Sequence, residues 1–272
     1  MNYYRYRPAQ PLAAFVNQFW LYEGFDQDHL KERVLPTGTA ELVINLQSDH
    51  FRIYDPQNPA FSRSFRGSLA VGPHSEYFVI DTASQSAVMG VAFKPGGAFP
   101  FFKYPAFELR DRHMALEDLW GRAAQEVREG LMAAPTPAAK FATFERMLLR
   151  QLVRPLELRP AVNYALGEFK NSPAFTTVSG MAERTGYSAK RFMQLFNEEV
   201  GLTPKLYWRV QRFQATLRRL HRGEAVNWSD LAARLGYFDQ AHFNHDFQAF
   251  SGLNPATYLS RRGPHQNHVP LP

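Results

Sequence analysis

Short apolar runs separated by turn-forming residues dominate the first part of the chain. Runs rich in β-branched and aromatic side chains occur at 41–46, 51–54, 76–80 and 87–93. Such runs are typical of β-strands, and no helical crossover of the length that parallel strands need is evident between them. The pattern predicts a small β-barrel or sandwich over residues 35–93, and we take the barrel as the expected form. The turn formers at 94–97 then end the sheet region.

From residue 116 the apolar spacing becomes helical. One face of a predicted helix over 116–131 carries Leu116, Leu119, Trp120, Ala123, Val127 and Leu131, and a helix over 138–153 carries Phe141, Phe144, Met147, Leu148 and Leu152. These helices are expected to pack either on their own barrel or on a second subunit. Pro155 and Pro160 disfavour helix continuation, so we place a boundary there, between domains 1–154 and 155–272.

A heptapeptide at 201–207 recurs 51 residues later at 252–258, with Gly, Leu, Pro and Tyr at the same places. Each copy follows a phenylalanine at the same distance, Phe196 or Phe247, and a Gly-Tyr pair lies further upstream, at 186–187 or 236–237. A repeat at a fixed period usually means one structural unit used twice.

Each copy predicts a helix, a glycine turn and a second helix. The first unit has a helix at 178–184, a turn at Gly186 and a helix that Ser188 caps and that runs to 200. In the second unit Gly236 makes the turn and Asp239 caps a helix running to 250, while a long helix at 205–221 connects the units. The second helices bury stripes of Phe192, Leu195 and Phe196 or of Phe243, Phe247 and Phe250. This is the helix-turn-helix arrangement, whose second helix enters the DNA major groove.

Charge and composition narrow the function. The chain has a net charge of +6, and residues 155–272 hold 14 Lys+Arg against 9 Asp+Glu, whereas residues 1–154 hold 17 against 16. The helical part is therefore the more basic one. The absence of cysteine excludes disulfides, thiolate zinc sites and cysteine nucleophiles. No apolar run is long enough for a membrane span and no signal peptide is evident, so a soluble, cytoplasmic protein is expected.

These motifs resemble the paired helix-turn-helix domain of AraC-type bacterial transcription regulators. The resemblance covers about residues 160–262 and is carried by Phe196, Gly201, Pro204 and Tyr207, by Arg212, and by the run from Leu235 to Tyr258. It implies an all-α domain that binds double-stranded DNA, with RNA polymerase as a partner, in an activator or a repressor of transcription. The predicted DNA-binding residues are Lys190, Arg191, Met193, Gln194, Arg209, Arg212, Gln240, Ala241, Asn244 and His245.

The N-terminal part resembles a poorly characterised domain that precedes this module in some family members. The shared residues are Phe19-Trp20, Leu35-Pro36-Thr37-Gly38, Glu41-Leu42-Val43 and Phe93-Lys94-Pro95-Gly96-Gly97. In the wider family this position holds a cupin-like sensory and dimerising domain. The resemblance therefore implies an α+β, two-domain protein, a small-molecule effector and a homodimer, without identifying the ligand.

Two interpretations of the N-terminal residues stay open. The aromatic residues Phe15, Phe19, Trp20, Tyr22 and Phe25 either line an apolar ligand pocket or pack in the core, and Arg33, Glu41, Arg66 and His74 either serve that pocket or lie at the surface. The histidines are scattered, so no metal, cofactor or catalysis is expected. The alternatives to an effector-responsive regulator are a constitutive regulator whose N-terminal domain only dimerises and a cupin-like small-molecule enzyme.

Overall fold

The computed structural model describes residues 2–24, 29–58, 60–83, 85–171, 177–222 and 227–271. The strands are β1 (Asn2–Tyr6), β2 (Val16–Glu23), β3 (Lys31–Val34), β4 (Glu41–Asn45), β5 (His50–Tyr54), β6 (Ser62–Arg66), β7 (Ser68–Val71), β8 (Phe78–Asp81), β9 (Ala87–Phe93), β10 (His113–Ala115) and β11 (His268–Pro270). The helices are α1 (Leu116–Trp120), α2 (Arg122–Ala133), α3 (Pro137–Leu149), α4 (Pro160–Asn171), α5 (Val178–Arg184), α6 (Ala189–Val200), α7 (Pro204–His221), α8 (Trp228–Arg234), α9 (Gln240–Ser251) and α10 (Pro255–Arg261).

The N-terminal strands form two antiparallel sheets. One has the order β1-β2-β9-β4-β7-β10 and the other the order β11-β3-β8-β5-β6. Gly67, with φ at 61°, lies between β6 and β7, where the chain passes from one sheet to the other. The two-domain α+β class is confirmed, but the described strands form two open sheets rather than the expected closed barrel.

The six-stranded sheet is covered on both faces. Along β4, Leu42 and Ile44 point to one side and join a core with α1, α2 and α3. Glu41 and Val43, the alternate residues, point into the space between the two sheets. Successive side chains of a strand face opposite sides, so this sheet separates the helical core from an internal cavity. The helices at 116–149 thus pack on their own sheet, which is one of the two arrangements expected for them.

The single helix predicted over 116–131 is wrong. Gly121 adopts φ of 59° and ψ of −135°, which ends α1 and starts α2. The break changes the helical phase, so Ala124 is buried where Ala123 was expected. An isolated glycine inside a periodic apolar pattern is compatible with an unbroken helix, which is why the sequence pattern did not reveal the break.

The C-terminal part is helical and is built on one apolar core from α4 to α10. The predicted caps are confirmed: the Ser188 hydroxyl accepts a hydrogen bond from Arg191 N, and the Asp239 carboxylate accepts one from His242 N. Gly201 and Gly252 end α6 and α9 in left-handed conformations. The described helices include none long and apolar enough to cross a membrane.

The chain returns to the N-terminal sheet at its C-terminal end. Strand β11 pairs antiparallel with β3, with His268 opposite Val34 and Pro270 opposite Glu32. Val269, in the middle of β11, is buried. A segment that lies within the predicted second domain of 155–272 is therefore part of a sheet formed by the first.

Candidate nucleic-acid interface

The two helix-turn-helix units have the same backbone geometry. Gly186 and Gly236 adopt φ of 74° and 72°. In each turn the following tyrosine N–H donates to a carbonyl five residues earlier: Tyr187 to Ala182 and Tyr237 to Ala232, both at 3.0 Å. A left-handed residue followed by such a bond ends the first helix and directs the second away from it. The internal repeat therefore specifies the same turn twice.

The outer faces of α6 and α9 carry most of the predicted DNA-binding residues. The stripes predicted to be buried are buried on both helices. All eight DNA-binding residues predicted on these helices are exposed to solvent: Lys190, Arg191, Met193 and Gln194 on α6 and Gln240, Ala241, Asn244 and His245 on α9. The Arg191 guanidinium donates to Gln194 Oε1 at 2.9 Å, and the Ser229 hydroxyl donates to Gln240 Oε1 at 2.9 Å. Glutamine and asparagine amides on such a face match the paired donor and acceptor of adenine.

Phe238 is a surface residue that the sequence patterns did not single out. It directly precedes the cap of α9, and 92% of its surface is exposed. A large apolar side chain at the entry of a recognition helix is suited to contact with sugars or a thymine methyl group. The residue before a helix cap often packs against the helix as a hydrophobic staple, so the sequence position favoured burial of Phe238 and gave no signal for its exposure.

Arg209 and Arg212, which were expected to contact DNA, lie in an internal ion-pair network. Asp246 of α9, 1% exposed, accepts from Arg209 at 2.6 Å and from Arg212 at 3.2 Å. Arg212 also donates to the Gly236 carbonyl at 2.8 Å, and its guanidinium stacks between the rings of Trp208 and Tyr237.

Arg212 is 6% exposed and therefore presents no charge to a phosphate in this arrangement. The network instead ties α7, the turn of the second unit and α9 together. Asp246 lies on the same side of α9 as Phe243 and Phe247, and an acidic residue within an apolar stripe was the sequence signal for a buried basic partner.

Comparison with protein families gives two matches along the chain. A domain of unknown function, DUF6597, matches residues 4–115, and a helix-turn-helix domain matches residues 181–261. Residues 181–261 form an AraC-type helix-turn-helix domain. The match begins within α5 and ends with α10, so it contains both recognition helices and the connecting helix.

Several solved structures are similar to the chain. The C-terminal domain of AraT, a response regulator from Geobacillus stearothermophilus, is 22% identical, with a TM-score of 0.36, covering 39% of this chain and 88% of that one. ToxT from Vibrio cholerae is 9% identical, with a TM-score of 0.48, covering 96% and 98%. ToxT bound to an unsaturated fatty acid is 10% identical, with a TM-score of 0.46, covering 89% and 93%. No curated protein matches the sequence.

The AraC-type domain contacts the N-terminal domain at equivalent points of its two units. A Cβ atom built on Gly201, at the end of α6, would lie 2.7 Å from Pro73 Cγ and 2.9 Å from the Ala106 carbonyl oxygen. A Cβ atom on Gly252, at the end of α9, would lie 2.6 Å from the Tyr77 ring. Pro73 and Tyr77 belong to the segment between β7 and β8, which we call the β7–β8 loop (residues 72–77). One loop therefore touches the C-terminal ends of both recognition helices.

The connecting helix α7 is held by the 35–38 motif of the N-terminal domain. The Gln211 amide donates to the Thr37 carbonyl at 3.1 Å, and the Gln214 amide donates to the Pro36 carbonyl at 2.7 Å. Leu35 is buried in the core of the AraC-type domain. A motif that carried only a family resemblance in the sequence thus has a structural role as an interdomain contact.

A cavity of about 700 Å³ lies between the two sheets. Trp20, Val43 and Phe78 are among its apolar walls, and Glu41 and His74 are among its polar ones. The C-terminal segment that follows α10 contributes Pro264, His265, Gln266, Asn267 and His268 to the same lining. Concave, largely apolar spaces with a few polar groups are typical small-molecule sites.

The structure divides the residues proposed for a pocket. Trp20, Tyr22, Glu41 and His74 line the cavity, whereas Phe15 and Phe19 are core residues. Arg33 and Arg66 do not line it; Arg33 donates to the Ser251 carbonyl at 3.1 Å, at the end of α9. Phe25 lies outside the described residues. The described part of the chain contains no group of three or more metal-ligating side chains.

Burial shifts the protonation of two cavity residues in ways that disfavour charge. It raises the pKa of Glu41 to about 7, with His268 opposing the shift. It lowers the pKa of His74 to about 4, with Asp111 opposing the shift. Within the described chain Glu41 has no hydrogen-bond partner, and its accessible surface faces the cavity.

Replacing Glu41 with glutamine should stabilise the protein at alkaline pH. The folded-state pKa lies above the ordinary value of 4.5, so the wild-type chain loses stability as the pH rises from about 4.5 to about 7. Glu41→Gln removes this loss. The variant should match the wild type near pH 4.5 and exceed it by roughly 3 kcal/mol at pH 8 in urea unfolding. An equal difference at both values would show that ionisation is not the cause.

Proposed function

We propose that this protein is a sequence-specific transcription regulator that reads two successive major grooves with α6 and α9 and responds to a small-molecule effector. The DNA-binding role follows from the AraC-type domain. The observation that supports this mode of DNA recognition is the pair of exposed faces on two helices, each of which follows a glycine turn and has a side-chain N-cap. The family resemblance also predicts a homodimer, a contact with RNA polymerase and a cytoplasmic location, and these stay predictions.

The two recognition faces differ in chemistry although their cores match. The face of α6 offers Lys190, Arg191 and Gln194, and the face of α9 offers Gln240 and Asn244. Direct readout depends on the donors and acceptors that each face presents. We therefore propose that one chain recognises an asymmetric sequence with two unlike half-sites. We assign Arg209 and Arg212 to holding α9 on α7. The exposed lysine and arginine side chains are assigned to contacts with DNA phosphates.

Replacing Gln240 with alanine should relax specificity at one base pair. Gln240 lies at the N-terminal end of α9, where recognition-helix residues reach base edges. Loss of a bidentate contact costs about 1–3 kcal/mol of discrimination at that position. A binding-site selection from random DNA, done for both proteins, measures the preference at each position.

Gln248→Ala is the matched control, because Gln248 is also exposed on α9 but lies near its C-terminal end. It should leave the selected sequence unchanged. A uniform loss of affinity over all sequences in Gln240→Ala would mean that Gln240 positions the helix without reading a base.

The response to an effector is supported by two connections between the cavity and the AraC-type domain, one to the recognition helices and one to the connecting helix α7. His74 lines the cavity from the β7–β8 loop, which contacts the ends of α6 and α9. In the C-terminal segment, Gln266 donates to the Gln214 side chain and Asn267 accepts from it, both at 3.0 Å. A ligand that moves either element changes how the two recognition helices are held.

A metabolite pool added to the purified full-length protein tests this response. At least one fraction should change both the melting temperature and the affinity for the selected DNA, since a ligand must bind the two states differently to shift them. A constitutive regulator would change neither. Fluorescence anisotropy with labelled DNA, run beside thermal unfolding, separates the two cases.

A further inference from the structure

We propose that the cavity between the two sheets binds an organic amine whose ammonium group pairs with the Glu41 carboxylate. The inference rests on the proposed effector response and deepens it by naming the chemical class of the ligand. It is carried by the arrangement of small, aromatic and charged residues on the six-stranded sheet.

The sheet leaves free space beside the Glu41 carboxylate. In the strand register Glu41 lies opposite Ala92 of β9, and Val43 lies opposite Gly90. Opposite residues of an antiparallel pair share a face, so the positions on β9 beside Glu41 carry almost no side chain. This space belongs to the cavity, because Ala92, Val43 and Glu41 all line it.

An aromatic ring borders the same space. Trp20 of β2 lies opposite Gly90, and a Cβ atom on Gly90 would overlap the indole of Trp20. The ring therefore lies across the glycine, one row from Glu41, and lines the cavity. Tryptophan is the aromatic side chain that attracts cations most strongly. A carboxylate and an indole at the edge of one space match an ammonium group with an apolar body.

The other charged groups around the cavity already have partners or lie at its rim. Glu32 accepts from His29 at 2.7 Å and from His268 at 2.8 Å. Arg5 is exposed and lies over the Tyr3 ring. The part of the cavity lining that comes from the C-terminal domain includes three histidines, His221, His265 and His268. His74 is buried next to Asp111.

Glu41 thus remains as a carboxylate without a hydrogen bond among the described residues. Burial of an unpaired charge is costly, and a cationic ligand removes that cost. A hydroxyl ligand supplies a hydrogen bond without charge, and a carboxylate ligand adds repulsion. The amine is therefore favoured over its matched alcohol and acid.

Isothermal titration of the full-length protein with three matched series tests the inference. The probes are butylamine, 2-phenylethylamine and tryptamine, each with the alcohol and the carboxylate of the same body. At least one amine should bind about tenfold or more tightly than its alcohol and its acid. Glu41→Gln should abolish that preference, and Glu117→Gln, which changes an exposed carboxylate of α1, should keep it.

A second variant, Trp20→Phe, tests the same site independently of whether Glu41→Gln folds. Trp20→Phe retains a ring with a weaker attraction for cations, and it should reduce the amine preference severalfold. The proposal is overturned if no amine binds at about millimolar concentration, if alcohol or acid binds as well in every series, or if the preference survives in Glu41→Gln.

These outcomes are separable from those of the proposed function. Amine binding without a change in DNA affinity would support the proposed ligand class and contradict the effector role. If no amine binds and a different compound alters DNA affinity, the effector role is supported and the proposed ligand class is contradicted.

Discussion

Replacing Asp246 with alanine should destabilise the protein by about 3–5 kcal/mol and abolish DNA binding at 37 °C. Asp246 accepts hydrogen bonds from Arg209 and Arg212 inside the core of the second unit. Its removal leaves the buried Arg212 guanidinium without an anionic partner, and the desolvation of that charge is no longer offset. The free energy of unfolding in urea, measured by circular dichroism, gives the size of the effect.

Asp230→Ala is the matched control in the same unit. Asp230 pairs with Arg234 at 2.9 Å, but both side chains are exposed on α8, so the loss should be about 0.5 kcal/mol or less. Comparable losses in the two variants would contradict the structural role of the network. Arg209→Ala provides an intermediate case, because Arg212 still compensates Asp246 after that change.

Replacing Gly201 with alanine should cost about 2–4 kcal/mol, more than the same change at Gly186. Both glycines have positive φ, so in both variants the strained alanine backbone lowers the free energy of unfolding by roughly 1 kcal/mol. Only at Gly201 does the added methyl group meet the other domain, at Pro73 and at the Ala106 carbonyl; at Gly186 nothing lies within 4 Å. Overpacking a close contact typically adds 1–3 kcal/mol. Urea unfolding of both variants measures the difference.

A second pair of residues tests whether the excess cost comes from the interdomain contact. Gly252→Ala places its Cβ against the Tyr77 ring, and Tyr77→Ala removes that ring. The combined variant should recover part of the stability that Gly252→Ala loses, giving a favourable coupling energy in a double-mutant cycle. Equal costs at Gly201 and Gly186, or strict additivity at Gly252 and Tyr77, would show that the β7–β8 loop does not restrain the recognition helices.

Local features of the AraC-type domain were predictable from the sequence because short-range physics specifies them. Ser188 and Asp239 bond to backbone groups three residues ahead, and Gly186 and Gly236 supply a backbone conformation that few other residues tolerate. The buried stripes of α6 and α9 follow from helical periodicity. The exposure of the predicted base-reading residues on these helices follows from the same periodicity, whereas their contacts with bases remain predictions.

Long-range partners were beyond the sequence pattern. Arg212 is on a basic stretch that suggests a phosphate contact, yet its side chain is enclosed by Trp208, Tyr237 and Asp246. The break at Gly121 depends on how α1 and α2 pack, since glycine alone permits either course. The three residues of β11 have no strand signal of their own, and β3 provides their hydrogen bonds.

The amino-acid sequence by itself determined the two helix-turn-helix units, the composition of their outer faces and the division into a sheet-rich and a helical part. Only the tertiary structure decided what surrounds Glu41. Alternation along β4 places Glu41 and Val43 on one face of the strand, but a strand does not specify whether that face meets water or another sheet. The second sheet and the returning C-terminal segment make that face the wall of a cavity, and the β7–β8 loop connects that cavity to both recognition helices.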